Sequence, residues 1–350
     1  MITVGIDPHK RTHTAAAVNA ATGELVDELT VETDDGGHAS LLAWARRLAD
    51  RHEPRFAVED CRHVSGRLER FLVAQGADVV RVPPKLMAEV RRGARQPGKS
   101  DGIDALAVAR AALREPGLPK AIEDPQARDL KLLTDHREHL IAERTALCSR
   151  LRWHLHDLDH ALEPIARGLN RERARRSITQ RLARLEQTAQ VRICRELVTR
   201  IGEITRRETE LKTEIRKAIR AYAPQLLAVP GCAELTAAKL VGEIGGYGRF
   251  ATDAKLARHA GCAPIEASSG VRQRHRLSRQ GNRQLNAAFY RIALTQSWVH
   301  PEARAYLERK KAQGKSTPEA FRCLKRHLVR TVWQTLRAPA PDLNPSLSLT

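Results

Sequence analysis

Lys99-Ser-Asp-Gly-Ile-Asp-Ala-Leu-Ala-Val-Ala-Arg-Ala-Ala-Leu113 decides the fold of the N-terminal third of the chain. From Ile103 onward it is apolar around nearly its whole circumference, interrupted only by Arg110, which predicts a helix buried within a domain. Its first turn nevertheless carries Asp101 and Asp104, three residues apart and so on one helix face. Like charges placed there repel, and partial burial strengthens the repulsion. Helix capping is one explanation, with Asp101 as N-cap and Asp104 near the positive end of the helix dipole. A divalent-cation site is the other, and it requires more carboxylates from elsewhere in the chain.

Two stretches offer them. Ile2-Thr-Val-Gly-Ile-Asp7 is a short β run ending in a carboxylate, and Arg55-Phe-Ala-Val-Glu-Asp60 is a second, ending in Glu59 and Asp60. Adjacent strand ends of an open parallel sheet point into one crevice, where ligands bind. Asp7, Glu59, Asp101 and Asp104 are therefore expected to converge. Four carboxylates about one point need a cation to stay ionised, and hard oxygen donors suit Mg²⁺ or Mn²⁺. Such a set supports two-metal phosphoryl transfer. His9, two residues beyond Asp7, reads equally as a substrate contact or a structural residue.

The chain has 350 residues and a formal net charge of +19, with 60 Lys and Arg against 41 Asp and Glu. That excess favours a polyanionic partner, and the dominance of Arg over Lys suits bidentate phosphate contacts. Nucleic acid is the expected partner. The six cysteines, 61, 148, 194, 232, 262 and 323, contain no C-x-x-C pair and read as reduced and mostly buried, which predicts a cytoplasmic protein. The sequence opens directly on a strand run, so no signal peptide is expected, and no apolar run reaches membrane-spanning length.

Residues 1–115 alternate strands and helices. Ile2–Asp7, Thr12–Asn19 and Glu24–Thr33 read as three strands. A helix (Ala39–Arg51), the strand ending at Glu59, a helix (Ser65–Gln75), a strand (Ala77–Val82) and the Asp101 helix follow. Three leading strands followed by alternating β and α is the order of RNase H-like folds. The glycine- and arginine-rich stretch Arg91–Lys99 reads as a loop able to contact a phosphate backbone.

Pro116, Pro119 and Pro125 mark a linker, after which the periodicity changes. Leu133, Leu140 and Leu147 lie seven apart, and Leu151, Leu155, Leu158 and Leu162 continue at steps of four and three. Leu197, Ile201, Ile204, Leu211, Ile215, Ala218 and Tyr222 fit a and d positions, with Glu208 as the polar intruder. This predicts an α-helical coiled-coil arm over 116–223. Its two helices can fold back on each other or pair with a second subunit, and joining subunits is the expected use. His154, His156, Asp157, Asp159 and His160 lie on the first arm. His156 and His160 are one turn apart, a spacing open to metal, but solvated or nucleic-acid-facing histidines are the expectation.

The third region, 224–337, is mainly α. Leu226-Leu-Ala-Val-Pro-Gly-Cys followed by a helix of small residues resembles a helix-hairpin-helix, which offers backbone N–H groups to a phosphate. Arg272, Arg274, Arg276, Arg279 and Arg283 fall within twelve residues and read, with Lys99, as nucleic-acid contacts. Ser268-Ser269-Gly270 taken alone is a turn, and chemistry does not separate its two serines. Residues 338–350 form a proline- and serine-rich tail expected to be disordered.

Together these residues resemble the DEDD-type insertion-sequence transposases that join a RuvC-like domain to a small C-terminal transposase domain. The resemblance rests on Gly5-Ile-Asp-Pro-His-Lys10, Glu59, Lys99-Ser-Asp-x-x-Asp-Ala105, the Ala263-Pro-x-x-x-x-Ser-Gly270 box and Ser278-Arg-x-Gly-Asn282. It implies a RuvC-like catalytic domain at 1–115 whose Asp7, Glu59, Asp101 and Asp104 bind Mg²⁺. It also implies that Ser269, directly before Gly270, is the nucleophile forming a covalent link to DNA. Studied relatives are recombinases that use an element-encoded bridging RNA, so donor and target DNA, a guide RNA and a homo-oligomer are the implied partners, at the nucleoid. Three readings compete: a RuvC-like junction nuclease using water as nucleophile, a non-catalytic nucleic-acid-binding protein, and a sugar-kinase-like ATPase hinted at by Asp34-Asp-Gly-Gly37.

Overall fold

The computed structural model describes all residues except 51, 85, 88–99, 116, 165–167, 267–274, 277–280 and 339–350, and leaves the side chains of Arg62 and Tyr247 undescribed. The tail expected to be disordered and the Arg91–Lys99 loop thus lie outside the described residues, apart from Ala338 at the end of the last helix. The chain forms two compact units: Met1–Asp124 with Gly248–Ala251, and Pro125–Tyr247 with the chain from Thr252. No described helix is long and apolar enough to cross a membrane.

In the first unit, β1 (Ile2–Pro8), β2 (Thr12–Asn19) and β3 (Leu25–Glu32) form an antiparallel meander. Helix α1 (Asp35–Ala49) follows, then β4 (Arg55–Glu59), α2 (Arg62–Ala74), β5 (Asp78–Val82) and α3 (Asp101–Arg114). The sheet order is β3-β2-β1-β4-β5, with β4 parallel to β1 and β5 parallel to β4. This is the mixed sheet expected of an RNase H-like fold. Every residue of β1 is buried because the strand is central and covered on both faces. Ile2, Val4 and Ile6 point with Phe56 and Val58 into a core closed by Leu41, Trp44, Leu68 and Leu72. The alternate residues face α3, where Ala57, Val80 and Val82 pack with Val108, Ala111 and Ala112.

Gly5 sets the distance between sheet and helix. A Cβ there would lie 2.2 Å from the Ala105 carbonyl oxygen and 2.3 Å from the Ala109 nitrogen. The alanine-rich face of α3 therefore rests directly on the β1 backbone. The Asp34-Asp-Gly-Gly37 stretch, the one hint of a phosphate loop, is a helix start: Asp34 Oδ1 accepts from the Gly37 N–H at 2.7 Å.

The second unit is helical. Helices α4 (Pro125–Leu158), α5 (Glu172–Leu182) and α6 (Ala189–Tyr222) are followed by α7 (Glu234–Ile244) and α8 (Asp253–His259). A two-stranded ribbon, β6 (Ile265–Glu266) with β7 (His275–Arg276), precedes α9 (Arg283–Val299), α10 (Pro301–Ala312) and α11 (Thr317–Arg337). The heptads of α4 and α6 meet each other. Leu147, Leu151 and Leu155 pack with Leu197, Ile201 and Ile204 in one core, and Leu211, Ile215 and Ile219 are fully buried. Glu208, the polar intruder, pairs with Arg137 and with Arg144 (2.7 Å), both from α4. The expectation that this seam joins subunits is corrected here: its apolar side chains are covered within the chain. The helix-hairpin-helix expectation also changes. A single 3₁₀ turn, Pro224–Ala228, precedes the Pro-Gly turn, which seats on α9: the Gln296 amide donates to the Pro230 carbonyl at 2.7 Å, and a Cβ on Gly231 would touch Ile292 and Thr295.

Two outcomes follow from the first unit. Gly5→Ala forces sheet and helix apart and should destabilise the fold by about 1–3 kcal/mol, the usual cost of overpacking, seen as a lower denaturant midpoint. His13 on β2 is 1% exposed and stacks on His38; burial, then the nearby His38 and His9, lowers its pKa to about 4. A histidine whose pKa falls on folding stays neutral in the native state, so the unfolded chain binds the extra proton between about pH 6.5 and 4. Stability should drop as pH falls through that window, by roughly 3 kcal/mol from this group. His13→Phe should lose less stability than the parent protein between pH 7 and pH 4.5 in urea unfolding.

Candidate functional site

The site assembles at the C-terminal end of β1 and the N-terminal end of α3. Ser100, not Asp101, is the N-cap of α3: its hydroxyl accepts from the Ile103 N–H at 3.3 Å. Asp101 is then the first helical residue, and neither aspartate supplies the cap. Both keep their carboxylates beside the positive end of the helix dipole.

Asp7 is almost fully buried at the end of β1, and His9 lies two residues on, at the turn into β2, where its N–H donates to the Thr12 carbonyl at 3.0 Å. His9 Nε2 stands 3.2 Å from Asp7 Oδ2 and 3.3 Å from Asp101 Oδ1. The three ligand atoms lie within 4.8 Å of one another, an arrangement able to hold a metal ion. Asp104 sits one turn into α3 and is buried, its N–H donating to the Ser100 carbonyl.

Glu59 ends β4, the strand next to β1. The parallel register, with Ile6 beside Val58, sets Glu59 level with Asp7 on the neighbouring strand, and Cys61 follows two residues on. Burial pushes that thiol up to about 11, helped by the charges of Glu59, Asp60 and Asp7 and by a hydrogen bond with Glu59. Neighbouring strand ends thus carry Asp7 and Glu59, each one residue past the Ile6–Val58 pair, and the helix start brings Asp101 onto His9. His9 is the member that sequence reasoning left open. Its signal is the i+2 spacing from Asp7, which returns a side chain to the same face of a strand.

Ser269 lies outside the described residues, as do Lys99, Arg272, Arg274 and Arg279. The β6–β7 register, Ile265 to Arg276 and Glu266 to His275, makes 267–274 the connection of that ribbon. Arg276 and Arg283 are exposed. Arg276 borders a cleft of about 480 Å³ that is also lined by Lys315, Arg322, Lys325 and Arg326. Lys325 is buried, and its ammonium donates to Asn286 Oδ1 at 2.8 Å. Burial, against the opposing influence of Cys262 and aided by Arg322, holds its pKa below the ordinary lysine value. No local pattern around Lys325 signals this burial.

The Gly281-Asn282 pair of the motif is structural. Gly281 has φ +99°, and a Cβ there would meet Gly261 and the His259 carbonyl at 2.6–2.7 Å. Asn282 caps α9, its Oδ1 accepting from the Gln284 and Leu285 N–H groups at 2.9 and 3.0 Å.

Comparison with known proteins gives a consistent assignment. A model of IS110-type DEDD transposases matches residues 4–158, and the model described as transposase IS116/IS110/IS902 family matches residues 223–308. The insertion element IS116 44.8 kDa protein of Streptomyces clavuligerus is 30% identical, covering 98% of this chain and 97% of its own length. The insertion element IS900 42 kDa protein of Mycobacterium paratuberculosis is 25% identical, covering 95% of each chain. Among solved structures, T. thermophilus RuvC in complex with Holliday junction substrate matches 35% of this chain and 99% of its own, at 18% identity and a TM-score of 0.27.

If Asp7 and Asp101 share a cation, Mn²⁺ at a hundred times its Kd should stabilise the protein by about 2.7 kcal/mol. Asp7→Asn and Asp101→Asn should each abolish that gain while leaving the metal-free melting temperature equal or higher, since a repelling charge is gone. An undiminished Mn²⁺-induced rise in both variants would separate these carboxylates from the metal.

Proposed function

The chain belongs to the IS116/IS110/IS902 transposase family, and from that premise we propose that it cleaves and rejoins DNA strands through two chemical centres as its insertion element moves. The observation that carries this reading is the meeting of Asp7 and Asp101 at His9, beside the Glu59 strand end. Asp7, Glu59, Asp101 and Asp104 are the residues that would hold Mg²⁺ or Mn²⁺, and the oxygen-rich donor set fits such ions. A bound ion supplies Lewis-acid polarisation of a phosphoryl oxygen. His9 spans the two carboxylates and orients them, and the Gly5 contact fixes the helix that carries two of the four.

The second centre is Ser269. Its Oγ attacks phosphorus: an O–P bond forms, the P–O bond to the departing strand breaks, and the hydroxyl proton ends on the leaving oxygen. Reversal with a different strand end rejoins DNA. A serine needs a base or a neighbouring cation to react. The cleft beside the β6–β7 ribbon offers Arg276, Arg322 and Arg326 for phosphate, and in Lys325 an amine whose basicity burial has reduced. Arg272, Arg274, Arg279 and Arg283, with Lys99, extend the phosphate contacts.

The partners in this reading are donor and target DNA and an element-encoded guide RNA, for which the net charge of +19 provides counterions. Exchange between two DNA segments calls for more than one active site, so a homo-oligomer acts, joined through surfaces other than the α4–α6 seam. The work is done on DNA at the nucleoid of a cytoplasm.

Ser269→Ala should abolish the denaturant-resistant protein–DNA adduct on a nicked suicide substrate while DNA binding and its salt dependence persist. Ser268→Ala should be mild, and Asp101→Asn should lower strand cleavage by at least about 100-fold, in line with losing a transition-state interaction of several kcal/mol. An adduct surviving Ser269→Ala but lost in Ser268→Ala would transfer the role to the neighbouring serine. Cleavage with no adduct, indifferent to both serines but lost in Asp101→Asn, would make water the nucleophile.

A further inference from the structure

The first arm ends in a cluster that neither centre uses. Helix α4 stops at Leu158 because Asp159 takes an extended conformation (φ −168°) and caps a 3₁₀ turn, His160–Leu162, accepting from the Ala161 N–H at 2.8 Å. Leu162 is buried in the α4–α6 core and anchors that turn. The turn folds His160 and Glu163 back onto His156 in the last turn of α4.

The distances among these three side chains are specific. His156 Nδ1 and His160 Nδ1 are 3.3 Å apart, and Glu163 Oε2 lies 3.5 Å from the first and 3.7 Å from the second. Three potential ligand atoms face one another in a near-equilateral triangle. Hydrogen bonding accounts for it poorly: both carboxylate contacts lie at or beyond the limit for an N–H···O bond, and a single proton between the rings serves one edge only. A tetrahedral ion with bonds of about 2.0–2.1 Å requires ligand–ligand edges of about 3.3–3.4 Å. The observed edges of 3.3, 3.5 and 3.7 Å correspond to a tetrahedral ion about 2.1 Å from each atom, seated above the plane of the triangle.

We propose that His156, His160 and Glu163 form a transition-metal site of the Zn²⁺ class at the tip of the helical arm. Two imidazoles and one carboxylate are a donor set that favours Zn²⁺ over Mg²⁺. It differs in chemistry from the carboxylate centre of the first unit. The site is exposed and three-coordinate in protein atoms, so water completes it. His156 and Glu163 also line an open hollow with Arg152 and Trp153, a residue 75% exposed, which leaves the fourth position accessible. Bound there, the ion ties the end of α4 to the turn that follows it.

The test is Zn²⁺ titration of the full chain in excess Mg²⁺, with Co²⁺ as a spectroscopic probe. We expect one tight equivalent of Zn²⁺ and the visible absorption of four-coordinate Co²⁺. H160Q and H156Q should each weaken Zn²⁺ by at least about 100-fold, more than loss of a mere supporting contact to a ligand. Their circular dichroism and metal-free melting temperature should not change, because both rings are exposed. The double variant D7N/D101N should retain the tight equivalent. Undiminished Zn²⁺ affinity in H160Q, loss of the equivalent in D7N/D101N alone, or no tight binding to the parent chain would each overturn the site.

Discussion

Everything in the first unit depends on how closely helix α3 lies against strand β1. At Gly5 there is no room for even one methyl group between them, because the Ala105 carbonyl and the Ala109 nitrogen occupy its place. Packing of this kind is directional: it permits one height and one rotation of the helix, whereas larger side chains would tolerate several. Asp7 is two residues further along the same face of β1, and Asp101 is four residues before Ala105 on α3. Fixing the glycine contact therefore fixes the separation of the two carboxylates. The buried Asp7 has the His9 ring 3.2 Å away, and the same ring reaches Asp101 at the start of α3.

The second unit solves a different problem, the register of long helices. An apolar seam between two 34-residue helices tolerates slippage by a heptad, since each hydrophobic layer resembles the next. Charged groups remove that freedom. Glu208 of α6 meets Arg137 and Arg144 of α4, seven residues apart, and only one register places it between them. Where α7 joins α4, Lys239 is buried and donates to Asp135 and Glu138 at 2.8 and 2.9 Å, while Lys131 reaches Glu243 at 2.6 Å. Burial opposes the charge on Lys239, but those hydrogen bonds hold its pKa above the ordinary lysine value. Such pairs add little net stability compared with apolar replacements, and their contribution here is specificity of register.

The sequence made the first unit readable because strand alternation and a small-residue helix are local signals. The strands and helices of the sheet fall within a few residues of their expected positions, and α1 begins earlier only because Asp34 captures the Gly37 N–H as a cap. The cap of α3 falls one residue before Asp101 for a related reason: Ser100 and Asp101 are both good caps, and the choice between them depends on where the chain enters the helix. The heptads of α6 were legible as a seam but not as an internal one, since a hydrophobic stripe demands a partner without naming it. Lys325 was invisible because its burial is created by residues some forty to sixty positions away, Asn286 and Cys262 among them. His156, His160 and Glu163 were half legible. The one-turn spacing of the two histidines suggests a helix face, yet the helix ends at Leu158, and it is the 3₁₀ turn that brings Glu163, which the sequence reading does not single out, onto them.

The Ser-Arg-x-Gly-Asn motif shows why a resemblance marks more than reacting groups. Gly281 allows the chain to pass against Gly261, Asn282 starts α9, and the Asn286 amide one turn later donates to the Ala260 and Gly261 carbonyls at 3.0 Å. Its oxygen accepts from Lys325. These contacts tie the segment leading into β6 to the helix following β7, so both ends of the ribbon are fixed from one side. Anchoring both flanks from one helix limits the conformations open to the ribbon before anything binds, so that ordering is spent on folding. The motif residues thus act on the ribbon's flanks, and Lys325 is held in the same polar network that sets the shape of the ribbon's base.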